Sequence, residues 1–96
     1  MNQELKVKWI AALRSGEYQQ CTGELINSDG MCCLGVLHKV VTGFIPSSPR
    51  WGEANHNQMP RVIENELSND TRDLLANKND TGHTFDMIAD YIEENL

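Results

Sequence analysis

The stretch TGELINSDGMCCLGVLHKVVT, Thr22 to Thr42, decides how the rest of the chain is arranged. Asn27-Ser28-Asp29-Gly30 has turn chemistry and lies between two short, partly apolar runs, Gly23–Ile26 and Met31–Cys33. That pattern predicts a small β-hairpin over about residues 23–33, with Gly30 supplying a positive φ. Leu34 to Thr42 follows at once and is the most apolar run of the sequence. Wound at about 100° per residue, Leu34, Leu37 and Val41 share one side, and Val36 and Val40 occupy the others. A helix over 34–42 would therefore be buried from several directions. Its β-branched residues also permit a strand, which periodicity alone does not exclude. Gly43 supplies a helix stop and favours the helical reading.

On the N-terminal side, Leu5, Trp9, Ala12 and Leu13 recur at helical spacing, with Ile10 widening the stripe, and predict a helix over Asn2–Ser15. Gly16 is placed to end it in a left-handed conformation. Trp9 reads as core. Glu17–Thr22 is a polar connector. On the C-terminal side, Phe44–Met59 has no clear period and contains two of the three prolines, a long loop suited to binding. Pro60 can open a short helix carrying Val62, Ile63 and Leu67. Ser68-Asn69-Asp70 is a cluster of capping residues before a predicted helix Thr71–Asn77 that buries Leu74 and Leu75. Asn79-Asp80-Thr81-Gly82 reads as a second turn, and Thr84 as the cap of a last helix, Phe85–Asn95. Phe85, Ile88, Ala89, Ile92 and Leu96 form its apolar face; Asp86, Asp90, Glu93 and Glu94 form the other. Glu93 and Glu94 stand at the unfavourable end of the helix dipole, so that end is expected to fray or to meet a basic partner. The expected fold is an α-rich α+β domain: four to five short helices around the central helix 34–42, with one hairpin, all in a single globular domain spanning residues 1–96.

The 96 residues carry 40% hydrophobic and 23% charged side chains, ordinary for a globular chain. So short a chain buries only roughly 60–65% of its unfolded surface, which predicts modest stability unless it forms a homo-oligomer. The formal net charge of −6 disfavours direct binding to nucleic-acid phosphates and suits a basic protein partner. The start, MNQELKVKWIAALRSG, is amphipathic rather than a signal peptide, and no run reaches transmembrane length, so no membrane role is expected. Three cysteines, two of them adjacent, fit a reducing compartment.

Cys21, Cys32, Cys33 and His38 are the metal candidates, but their spacing, Cys-x10-Cys-Cys-x4-His, matches no standard zinc site. On a helix Cys33 and His38 would point about 140° apart. Buried thiols in a core account for the same residues, so no metal and no cofactor is assigned. A cysteine nucleophile needs a lowered thiol pKa, whereas the flanking residues are apolar, and His56 or His83 could help only from a distance. No catalytic residue is expected, and the chain reads as a non-enzyme. The Gly82-x5-Ile88-Ala89 cadence is common in helix-turn-helix motifs, yet the last helix carries an acidic face that repels phosphate. For ligand binding the candidates are Arg50, Trp51, His56 and Asn57 in the long loop, where an Arg-Trp pair could stack on a base and hold a phosphate. A solvated loop with Trp51 folded onto the core explains the same residues.

Three blocks, ALRSGEYQQ (Ala12–Gln20), GELINSDGMCCLGVL (Gly23–Leu37) and NDTGHTFDMIADYIE (Asn79–Glu93), resemble a group of small proteins encoded by tailed bacteriophages and prophages. Together they cover about half of the chain. Cys21 stands where that group would have glycine, and His38 where a cysteine is frequent. The resemblance implies a phage product acting in the host bacterial cytoplasm. Accessory proteins of this kind commonly bind and inhibit a host factor, including components of antiviral defence. The expected partner is thus a host protein, met through Arg50, Trp51, His56, Asn57 and the acidic Asp86, Asp90, Glu93 and Glu94. A sponge for a nucleotide-type small molecule, or a small zinc- or thiol-dependent protein, is the alternative.

Overall fold

A computed structural model describes residues 1–23, 26–43 and 61–96. Its elements run α1 (Gln3–Arg14), β1 (Ile26–Asn27), β2 (Gly30–Met31), α2 (Cys33–Thr42), α3 (Arg61–Glu66), α4 (Asn69–Asp80) and α5 (Phe85–Asn95). This is an α-rich α+β fold with one antiparallel hairpin, the class expected from the sequence.

The hairpin is tight. Asn27 pairs with Gly30 and Ile26 with Met31, leaving Ser28 and Asp29 as a two-residue loop. The Asn27 side chain sets that turn by accepting from the amides of Asp29 at 2.7 Å and Gly30 at 3.2 Å. Gly30 has φ +155°, and a Cβ there would lie 2.0 Å from the carbonyl oxygen of Gln19. The reason is that the expected polar connector forms an isolated parallel bridge to the hairpin at Gln20: Met31 donates to the Gln19 carbonyl at 2.8 Å and accepts from the Cys21 amide at 3.0 Å. The strand pairing ends at Met31, two residues before the expected Cys33. Cys32 is instead the N-cap of α2, and Cys33 its first residue.

Around α2 the core is assembled from Trp9 and Leu13 of α1, Leu34, Val36 and Leu37 of α2, Ile63, Leu67, Leu75, and Phe85, Ile88, Ala89 and Ile92 of α5. Gly43, in the left-handed region at φ +82°, ends α2 and donates to the Lys39 carbonyl at 2.8 Å. Burial is uneven along α2. Cys33 to Leu37 are enclosed, whereas Val41, expected inside, is 37% exposed.

Two expectations on α4 are corrected. The helix spans Asn69–Asp80 rather than Thr71–Asn77, because Ser68 is the cap, its Oγ accepting from the Thr71 amide at 3.2 Å, and the residues read as a turn, Asn79 and Asp80, remain helical. Leu75 is fully buried but Leu74 is 39% exposed. Consecutive helical residues point about 100° apart, so a helix packed on one side buries one of the two. Thr84 caps α5 as expected, accepting from Met87 at 3.2 Å.

Candidate functional site

Asn79 is the one buried polar residue among those described, 1% exposed. Its Oδ1 accepts from the Cys33 amide at 3.2 Å and from Gln20 Nε2 at 2.9 Å. Its Nδ2 donates to the Cys21 carbonyl at 2.7 Å and to Asp80 Oδ1 at 3.3 Å. All four hydrogen-bonding positions of the amide are filled, so its burial carries no unmet desolvation cost. The bond to Cys33 has a local logic. The first amides of a helix lack partners within it, and Cys32 makes no side-chain capping hydrogen bond. Asn79 caps α2 from another helix. Asp80 accepts from the Gly23 amide at 2.8 Å, and Gln20 Nε2 also donates to the His83 carbonyl at 2.8 Å. The segment 79–83 thus grips 20–33 at the entrance to the central helix.

The three cysteines are buried and form no disulfide among the described residues. Burial pushes Cys32 from its ordinary 9.0 up to about 12, against the pull of the nearby Gly35 and Leu34 amides. Burial, with Cys32 as neighbour, raises Cys33 too, and the Cys33 thiol points at the Leu75 carbonyl, 3.7 Å away. Thiolates, the reactive form, are therefore disfavoured at both positions. Cys33 lies in the first turn of α2 and His38 more than a turn later, so their side chains diverge. Among the described residues no group of three or more His, Cys, Asp or Glu side chains could hold a metal ion. Trp9 is fully buried, its Nε1 donating to the Cys33 carbonyl at 3.0 Å.

Arg50, Trp51, His56 and Asn57 lie outside the described residues. Asp86, Asp90, Glu93 and Glu94 are all exposed on α5. Asp86, Asp90 and Glu93 form one stripe of the helix, and Glu94 faces further from the core. That stripe borders α1, which runs antiparallel to α5. Arg14 pairs with Asp90, and with Glu93 at 3.3 Å. Lys6 donates to the Glu93 carbonyl at 3.2 Å, meeting the negative end of the α5 dipole. The basic partner expected for this end of the helix is thus supplied, for Glu93, from within the chain. Along the same side of α1 lies a surface groove of about 440 Å³, lined by Val7, Ile10 and Ala11 with Lys6 and Arg14 and, from α5, Glu93. Val7 is 65% exposed. The groove went unforeseen although the spacing 7-10-11-14 is a second helical stripe beside the core stripe of α1. Opposite this seam, Lys78 of α4 lies over the Tyr91 ring, 4.6 Å from its centre.

A family model described as a domain of unknown function, DUF8296, matches residues 1–44, from α1 through the hairpin to the end of α2. No curated protein and no solved structure matches this chain.

Proposed function

We propose that this chain is a bacteriophage accessory protein that binds and inhibits a protein of the bacterial host, a component of antiviral defence, in the host cytoplasm. It is a binding protein rather than an enzyme. One observation carries the reading: four carboxylates, Asp86, Asp90, Glu93 and Glu94, stand exposed on α5, and Arg14 and Lys6 tie that helix to α1. Carboxylates held in place on a helix present a basic partner with a preset surface, so fewer side chains lose freedom on binding. The net charge of −6 favours encounter with such a partner, and the phage resemblance of the three sequence blocks supports the source. No helix among the described residues is long and apolar enough to cross a membrane.

Tagged protein expressed in bacteria that carry their defence systems should recover one host protein in stoichiometric amount, and the host should restrict phage less well. Isolation as a lone chain from several such hosts would count against the reading. Mass spectrometry of the heat-denatured supernatant distinguishes the small-molecule sponge, which would release a nucleotide.

A further inference from the structure

We propose that Cys21 and Cys32 form an oxidative modification site, at which a small-molecule disulfide such as oxidised glutathione joins the pair and staples residues 19–21 to the start of α2. The site is independent of the binding role proposed above.

Backbone hydrogen bonds set the two residues side by side. Gln20 and Met31 form a parallel bridge, in which Met31 donates to the Gln19 carbonyl and accepts from the Cys21 amide. The next bond of such a ladder would run from the Cys33 amide to the Cys21 carbonyl. The Asn79 carboxamide stands in that place, accepting from the first at 3.2 Å and donating to the second at 2.7 Å. Cys21 and Cys32 therefore face each other as the next rung, and facing residues of a parallel pair put their side chains on one face. Cys32 keeps the extended backbone this needs, at φ −82° and ψ 173°. Paired strands run about 4.8 Å apart and a disulfide accepts Cα separations of roughly 4.4–6.8 Å, which leaves about 2 Å for the inserted amide. Charge on Cys21 is also felt at Cys32, where it helps to hold the proton. Cys33 is kept out of the pairing, because it is fully buried and its thiol points at the Leu75 carbonyl, 3.7 Å away. Adjacent residues such as Cys32 and Cys33 meet the geometry of a disulfide poorly.

Cys21 and Cys32 are 4% and 3% exposed, so the reaction needs a local opening. Residues 19–21 pair with β2 on the side away from β1 and lead into the exposed Thr22 and Gly23, so this segment lifts while the helices stay packed. Once lifted, Cys21 gives its proton to solvent, and the thiolate attacks one sulfur of oxidised glutathione and expels the first glutathione thiolate. When the segment closes, Cys32 loses its proton, attacks the Cys21 sulfur and expels the second glutathione thiolate. The two protons end on the two glutathiones. Two protein thiols are oxidised and one glutathione disulfide is reduced. Residues 22–31 are then enclosed in a covalent loop, which stabilises the fold chiefly by restricting the unfolded chain.

The test incubates the reduced whole chain with oxidised glutathione at mildly alkaline pH, without denaturant. The intact mass should fall by two hydrogens, and proteolytic mapping should show Cys21 linked to Cys32 with Cys33 still a thiol. The melting temperature should rise by about 10 °C and return on reduction. Cys33→Ser should behave like the wild type, whereas Cys21→Ser and Cys32→Ser should show no such rise. A linkage through Cys33, a lasting glutathione adduct on the wild type, or an unchanged mass overturns the proposal. So does a disulfide that forms only in urea, because the native fold would then not be what pairs the thiols. A Cys21–Cys32 link that leaves the melting temperature unchanged overturns the staple. Where a serine variant fails to fold, the linkage mapped in the wild type and its reversal by reductant decide alone.

Discussion

Two polar seams join distant parts of this chain, and they differ in nearly everything else. At the first, Asn79 and Asp80 bind Gln20, Cys21, Gly23 and Cys33, with the Asn79 amide 1% exposed and every position filled. At the second, Arg14 and Lys6 bind Asp90 and Glu93 at the surface, with the Arg14 side chain 38% exposed and the two carboxylate side chains 70% and 60%. The Asn79 bonds to Cys21 and Cys33 lie in a dry site and are costly to break because each orphaned partner has no water to turn to. Exposed ion pairs exchange partners cheaply. The buried seam holds the fold, and the exposed seam adds little to it.

The comparison breaks most sharply at Asn79. Asn79→Ala strands the Cys33 amide and the Cys21 carbonyl and takes one of two partners from the Gln20 amide, and should lower unfolding stability by about 3–5 kcal/mol in urea titrations. Against a total of roughly 5–15 kcal/mol for a domain of this size, that loss leaves the fold marginal. If Asn79→Ala unfolds at the same urea concentration as the wild type, the buried seam is not what holds the blocks together.

Gly30→Ala comes next. Its Cβ would meet the Gln19 carbonyl at 2.0 Å from a backbone at φ +155°, so backbone must move and about 2–4 kcal/mol should be lost. A loss below about 0.5 kcal/mol would show that 19–21 does not lie against the hairpin.

A third test reads the buried thiols through pH. The unfolded chain releases the Cys32 proton near 9.0 and the folded chain only near 12, so within that window the folded state holds the extra proton. Stability is accordingly unaffected by this thiol below 9 and falls as pH rises from 9 toward 12, by at most about 1.4 kcal/mol per pH unit. Cys33, raised by its own burial, acts in the same direction. Native protein at pH 8 should react slowly with an aromatic disulfide reagent at both residues, and denatured protein fast. Prompt reaction of Cys32 or Cys33 in the native state would reopen the thiol-dependent alternative.

The smallest effect belongs to the exposed seam. Arg14→Ala should cost less than about 1 kcal/mol, shrinking further as salt rises. A loss of several kcal/mol would erase the distinction between the two seams.

Local patterns carried much of this architecture in the sequence. Asn27 to Gly30 marked the hairpin, Gly43 the end of α2, Ser68 and Thr84 the caps, and the five apolar positions of α5 its inward face. Each depends on residues within a turn or two of one another. What stayed illegible depends on contacts across the chain. Asn79-Asp80 has turn composition, and only its partners 46 to 59 residues away make it a buried helix end. The fate of Leu74 against Leu75 depended on which side of α4 met the core. At the candidate site, the acidic face was readable as the polar half of α5, while its clamp by Arg14, 76 residues upstream of Asp90, was not. The paired cysteines stood out in the sequence for their chemistry, and their place is at the entrance to the core.

The central proposal is that this protein meets its partner through the carboxylates exposed on α5. Reversing charge at Asp86 and Glu94, as Asp86→Lys with Glu94→Lys, spares Arg14 and its two carboxylates and so should leave the melting temperature within a few degrees. Recovery of the host protein proposed to co-purify with the wild type should then fall to background. A folded variant that still recovers that protein in full yield would contradict the claim.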